Sequence, residues 1–329
     1  MRKYNRNFKP TITVPQPWWN RLITALKLLA GSGLIIFLFA SGRLNLADIL
    51  SSYHNSAALV AGILCCTAAF ILPIFRWWIL ARIQMLPVGG LEALRLTMIG
   101  NFFNTFIPGS SGGDIIRAVY AVRACPERKA HTLTIAFADR GIGLHAIVLV
   151  AVAAFFMKPG LFDNAPSLQP WLMPIVALLI AGAVIPLLLV RERTNRFFVR
   201  LCGKIVGGAE AWQEALRLYR QQPGLVCLAY LCSIGNVFCN VLMIHFMMLA
   251  VGSTPKLMES LVIAPLVILA NALPITPGGI GIAETASAGL YTVVGQTGGA
   301  NGMLLTRFVI IIYSMLGFPF YLLSKRQQK

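Results

Sequence analysis

Acidic residues are scarce in this chain. Of its 329 residues only 11 are Asp or Glu, against 28 Lys or Arg, and charge of both signs makes up 12%. A soluble domain carries about 25% charged residues, so this chain lacks the means to cover itself for water. With 57% hydrophobic residues and a mean hydropathy of +0.74, the expected solvent is lipid. Histidine is also rare, at four residues, and no Cys-x-x-Cys or Cys/His spacing occurs, which excludes a zinc framework. Cys65, Cys66, Cys227, Cys232 and Cys239 lie inside apolar runs, where a thiol behaves as a small hydrophobe. His54, His131 and His245 suggest no metal site, and no metal or cofactor is expected. The net charge of +17 does not indicate nucleic acid, because the basic residues sit between the apolar runs as topology signals do.

Several apolar runs reach the length of about 20 residues that a helix needs to cross the hydrocarbon layer. Six full spans are predicted, over 21–41, 57–81, 132–157, 170–190, 223–250 and 303–324. The first is preceded by basic residues like a signal peptide, but it is long for one and lacks a convincing cleavage site, so it reads as a retained helix. Two further apolar stretches, 95–122 and 258–297, are interrupted. One breaks at Ile107-Pro108-Gly109-Ser110-Ser111-Gly112-Gly113, the other at Pro274-Ile275-Thr276-Pro277-Gly278-Gly279. Pro removes a backbone donor and Gly loosens a helix, so each stretch is expected to form two half-helices joined by irregular backbone.

Positive charge sets the topology. With both broken stretches as re-entrant hairpins, 23 of the 28 Lys and Arg fall on one side, Arg76, Arg82 and Arg95 among them. Arg43, Lys158 and Lys256 fall on the other, and Arg140 and Arg307 stay at membrane depth. The richer side is cytoplasmic, which places both termini in the cytoplasm of a bacterial-type inner membrane. Treating both hairpins as single spans would put the seven basic residues of 191–220 outside.

The chain then reads as one integral membrane domain over 1–329, all-α and polytopic: six full spans plus two opposed re-entrant hairpins. Each half, 21–157 and 170–324, runs span, span, hairpin, span, and three crossings invert the second half relative to the first. Residues support the inverted repeat. Asn101 precedes Asp114 by 13 residues (114 − 101), Asn271 precedes Glu284 by 13 (284 − 271), and a Pro-Gly step lies between each pair. The segment 191–222 mixes Phe197, Trp212 and Tyr219 with charges and reads as cytoplasmic amphipathic helix, a connector lying in the headgroups.

Irregular backbone survives at membrane depth only when buried in protein or facing a wet cavity. Opposed broken helices are also how many transporters build a substrate site near the midplane. The ionisable residues at that depth are Asp114, Arg117, Asp139, Arg140, Glu284 and Arg307, each costing about 2.5–3.5 kcal/mol unless it faces the interior with a partner. Asp114 and Glu284 open the second half-helix of each hairpin, where a carboxylate caps free N–H groups or couples protons. Arg117, one turn after Asp114, suits an i,i+3 pair; Arg140 points away from Asp139 and suits a partner across helices. Three arginines around a wet cavity can also bind a phosphate. Asn101, Asn104 and Asn271 suit the backbone freed by the breaks, as do Pro108, Gly112, Gly113, Pro274, Pro277, Gly278, Gly279 and Gly281. Gly109-Ser110-Ser111-Gly112-Gly113 matches the G-x-S-x-G pattern of hydrolases, but that motif needs a strand-to-helix elbow with His and acid partners. His145 reads as a packed helix residue. No catalytic residue is expected.

At these motifs the chain resembles the lysylphosphatidylglycerol synthase transmembrane (flippase-like) family. The similarity runs through Asn101 to Arg117, Asp139-Arg140-Gly141-Ile142-Gly143-Leu144, and Leu273 to Glu284. The resemblance implies translocation of a lipid between leaflets. The last predicted span ends five residues from the final residue (329 − 324), so no aminoacyltransferase domain, and no lysyl transfer, is expected. The sequence thus points to a non-enzymatic translocase for a phosphate-bearing lipid, of phospholipid or polyprenyl-phosphate type. Arg117, Arg140 and Arg307 are its headgroup candidates, and Asp114, Asp139 and Glu284 its coupling or hairpin acids. Two alternatives stay open: a membrane scaffold docking a lipid-synthesis enzyme through 191–222, and a small-anion or proton-coupled transporter. Homo-oligomerisation is also left open.

Overall fold

The computed structural model describes residues 55–106, 112–162, 176–177, 180–182, 208–272 and 281–326. The predicted spans 21–41 and, for the most part, 170–190 lie outside the described residues, as do both breaks from 107 to 111 and from 273 to 280. Among the described residues all regular structure is helical. The helices are α1 (Ser56–Ile83), α2 (Gly90–Phe106), α3 (Gly112–Ala124), α4 (Lys129–Met157) and α5 (Gly208–Gln221). They continue as α6 (Pro223–Ala250), α7 (Leu257–Asn271), α8 (Ile282–Val293), α9 (Gly299–Met315) and α10 (Gly317–Arg326). Four described stretches are long and apolar enough to cross a membrane: Ser56–Ile83, Pro126–Met157, Pro223–Ala250 and Gly299–Leu323.

The longest packing interface joins α1 and α6, which run antiparallel: Gly62 faces Met247 and Leu72 faces Gly235. Asn55 starts α1 as a side-chain cap, accepting from the Ala58 N–H at 3.0 Å. Pro73 lies inside α1 and leaves the carbonyl of Ala69, four residues back, without its helical donor. Asn236 of α6 supplies one, donating through Nδ2 at 2.7 Å. One polar side chain thus repairs the helix and pins the two spans in register. On their outer faces Val60, Leu64, Phe75, Leu231 and Phe238 stay exposed, as side chains turned toward lipid do.

Each predicted break separates two helices that pack together, α2 with α3 and α7 with α8. At the first, a Cβ on Gly113 would lie 1.8 Å from the Gly100 carbonyl oxygen, so only glycine allows the two backbones this close. Gly113 N–H donates to Asn104 Oδ1 at 2.7 Å, tying the new helix to the end of the old one. Gly113→Ala sets backbone against backbone, and the expected loss lies at or above the upper end of the ~1–3 kcal/mol typical of overpacking. A monodisperse, fully folded G113A protein by size-exclusion chromatography would refute that close approach. The second helix pair is closed differently, by Gly281 at φ +88 before α8.

The last predicted span, 303–324, falls almost wholly within Gly299–Leu323, one of the four stretches long and apolar enough to cross a membrane. Leu316 interrupts that stretch, and Gly317 then packs on α2 so closely that a Cβ would lie 2.1 Å from the Met98 carbonyl oxygen. Of the amphipathic segment, 208–221 is described, and it rests on the protein itself. Trp212 is buried against Ala130 and Leu133, and Gln84 Nε2 donates to the Ala215 carbonyl at 2.8 Å. Burial there pushes the Tyr219 phenol upward.

Candidate functional site

Charged residues at membrane depth gather into two groups, one for each helix pair. In the first, Asp139 of α4 is the hub. Its Oδ1 accepts from Arg76 Nε at 2.6 Å and its Oδ2 from Arg117 Nη2. Arg117 also reaches Asp114 Oδ1 at 3.3 Å, the i,i+3 pair its spacing predicts, and Arg140 Nη1 reaches Asp114 Oδ2 at 3.3 Å across helices. The result is a continuous line, Arg76–Asp139–Arg117–Asp114–Arg140, through α1, α4 and α3. Exposure rises from Asp139 toward Arg140: the Asp139 side chain is 3% exposed, that of Arg117 7% and that of Arg140 37%.

Arg76 corrects the sequence reading, which counted it with the cytoplasmic charges. It is buried inside α1, with Nη1 donating to Ser233 Oγ of α6 at 3.0 Å. Gly143, one turn beyond Asp139, makes room for it, since a Cβ there would lie 3.1 Å from Arg76 Nη1. The signal was present: Arg76 sits among Phe75, Trp77 and Trp78, well short of the helix end at Ile83. Arg82, nearer that end, instead stacks over Trp78 at 4.5 Å.

In the second group, Arg307 of α9 is held by Glu284 of α8 through Nε to Oε1, and through Nη2 to Oε2 at 3.3 Å. Arg307 Nη2 also donates to Asn271 Oδ1 at 3.3 Å, across to the end of α7. Glu284 Oε2 accepts from Gly281 N–H at 2.8 Å, so this acid caps α8 and neutralises Arg307 together. Its capping role was legible from its place three residues into the helix; its partner was not.

Between α1, α2, α7 and α9 lies a cavity of about 230 Å³. Asn101, Asn104 and Thr105 line it from α2, Asn271 from α7, and Arg307 and Ser314 from α9, with Phe70, Met303, Ile310 and Ile311 as its apolar walls. Of the three predicted asparagines, Asn104 stitches backbone while also facing the cavity, and Asn271 holds Arg307. Arg117 is taken up by two carboxylates, and Arg140 is the most exposed member of the first group. Gly112 opens α3 and is buried; Pro108, Pro274, Pro277, Gly278 and Gly279 lie outside the described residues. His145 packs as expected, with Nδ1 3.0 Å from Tyr230 Oη. Among the described residues no group of three metal-ligating side chains occurs.

The model of the lysylphosphatidylglycerol synthase TM region matches residues 24–317. The chain belongs to this family. No curated protein matches it. The match spans both broken segments and the residues of both charged groups. Membership, with the four long apolar stretches, makes the chain a multi-pass membrane protein of a lipid-related family.

Proposed function

We propose that the protein is a lipid translocase that moves a phosphate-bearing lipid between the leaflets of a bacterial-type inner membrane. The observation that carries this reading is the cavity between α1, α2, α7 and α9, lined by polar side chains from both halves and by an arginine. A volume of about 230 Å³ is below the roughly 300–1,000 Å³ of sites that enclose a whole drug-sized ligand. It suits a headgroup whose tails remain in the bilayer. Arg307, in the cavity wall, contacts phosphate; Arg140, the most exposed arginine of the first charged group, meets it outside that wall, while Arg117 acts through the two aspartates it orients.

Both broken segments are read as re-entrant hairpins of an inverted repeat, entering from opposite faces. Helix spacing supports this. The starts of α3 and α8 differ by 170 residues (282 − 112), and so do those of α4 and α9 (299 − 129). The starts of α1 and α6 differ by 167 (223 − 56), as do those of α2 and α7 (257 − 90). Helices α1 and α6 are each 28 residues long. Two copies with one three-residue difference ahead of the break account for all four spacings. Inversion also accounts for the antiparallel contact of α1 with α6. Both termini are cytoplasmic in this topology.

The test is translocation by the purified protein alone in proteoliposomes, read by dithionite quenching of a fluorescent phospholipid. Exchange well above that of protein-free vesicles is expected. No acceleration with any lipid tried would overturn the reading and favour a protein that acts only through a partner enzyme.

A further inference from the structure

The headgroup chemistry that the cavity accepts can be narrowed by where the negative charge is spent; this inference rests on the translocase reading for its transport arm only. Every described carboxylate at membrane depth already has a cation. Asp114 holds Arg117 and Arg140, and Asp139 holds Arg76 and Arg117. Glu284 holds Arg307, and Glu259 lies 3.4 Å from Lys158 Nζ and 3.8 Å from Lys256 Nζ. Three further acids, Asp48, Asp163 and Glu192, lie outside the described residues and outside the predicted spans. Neither break (107–111 or 273–280) contains Asp or Glu, and neither do the predicted spans 21–41 and 170–190. The described cavity wall carries no carboxylate either. Its hydrogen-bonding groups are amides and hydroxyls, with one arginine whose charge Glu284 balances.

Burying an ammonium group without a counter-ion is costly, whereas hydroxyls need only neutral donors and acceptors. The first charged group reinforces the bias, since its three arginines face two aspartates. We infer that the cavity selects lipids whose headgroup beyond the phosphate is an uncharged, hydroxyl-bearing unit, of glycerol, inositol or glycosyl type. It discriminates against cationic aminoacyl and ethanolamine headgroups. Asn101, Asn104 and Asn271, each able to donate and accept, are the residues that read the hydroxyls.

Two measurements on the full-length protein test this. In native mass spectrometry from detergent, phosphatidylglycerol and phosphatidylinositol are each titrated against lysyl-phosphatidylglycerol and phosphatidylethanolamine of matched chains. Retention of the hydroxyl-bearing lipids by about tenfold or more is expected, the ratio that one lost hydrogen bond to a charged group produces. The glycerol and inositol arms separate the small from the cyclic polyol. Asn101→Asp adds a carboxylate to the cavity wall and is expected to shift the ratio toward lysyl-phosphatidylglycerol by about the same factor. Equal or preferential retention of the cationic lipids by the wild type would overturn the inference, as would no retention of any lipid. The second measurement is translocation of the same series. Selective retention without translocation supports the inference and overturns the translocase reading. Translocation that favours the cationic lipids does the reverse.

Discussion

Asp139→Asn is expected to destabilise the protein by about 3–5 kcal/mol, the range for removing one partner of a buried ion pair. Among the described residues the aspartate is the only anion bonded to Arg76, and it shares Arg117 with Asp114. Asparagine keeps the shape and one acceptor but removes the charge, leaving three arginines opposite a single aspartate in a low-dielectric interior. Those cations can neither ionise differently nor reach water without unpacking α1 from α4. The readout is thermal unfolding in detergent, followed by tryptophan fluorescence and by the folded fraction on size exclusion. A second variant separates charge from shape: Arg76→Leu combined with Asp139→Asn removes one of the stranded cations and is expected to recover a substantial part of the loss. A shift below about 0.5 kcal/mol, the level of an ordinary surface substitution, would show that the network does not hold these helices together. Arg117→Ala is expected to be milder, because Asp139 keeps Arg76 and Asp114 keeps Arg140.

Glu284→Gln is expected to abolish translocation while leaving the helix cap largely in place. The glutamine carbonyl can still accept from Gly281 N–H, so the start of α8 is preserved. What disappears is the charge that holds Arg307 in the wall of the cavity, and an unbalanced guanidinium there trades its fixed position for any anion within reach. Lipid exchange in proteoliposomes is expected to fall by a factor of ten or more, with phosphatidylglycerol held more tightly rather than less. Glu284→Ala removes the cap as well and is expected to lose about 0.5–2 kcal/mol of stability beyond the glutamine variant. Wild-type exchange rates in the glutamine variant would remove the Arg307–Glu284 pair from the transport cycle.

The structural details that sequence reasoning reached share one property: they are local. Asp114 and Arg117 lie three residues apart on one helix, so their pairing follows from helical geometry alone. Glu284 caps α8 because it sits three residues beyond a glycine that ends irregular backbone. The ends of α2 and α7 before the Pro/Gly-rich stretches were legible because Pro and Gly act on the residues beside them; those stretches themselves lie outside the described residues. The details that were missed depend on which helices touch. Arg76 looked like a topology charge because it lies in the last two turns of a predicted span. Only the packing of α1 against α4 and α6 brings it to Asp139 and Ser233, 63 and 157 positions away. Asn236 likewise carried no visible link to Pro73; the interruption at Leu316, by contrast, had a local sign in Gly317 and Pro319, the latter unable to donate to the Met315 carbonyl.

The sequence by itself determined that this is a membrane protein with two interrupted segments, because hydrophobic run length, Pro and Gly act on the chain wherever it lies. It also determined the shortage of negative charge at membrane depth, which composition alone records. Tertiary structure decided how that small number of carboxylates is shared. Each is placed opposite a specific arginine or lysine, because a charge in lipid must find its partner on whichever helix packs beside it. Among the described residues, that pairing leaves the cavity wall lined by amides, hydroxyls and one arginine, with no carboxylate in it.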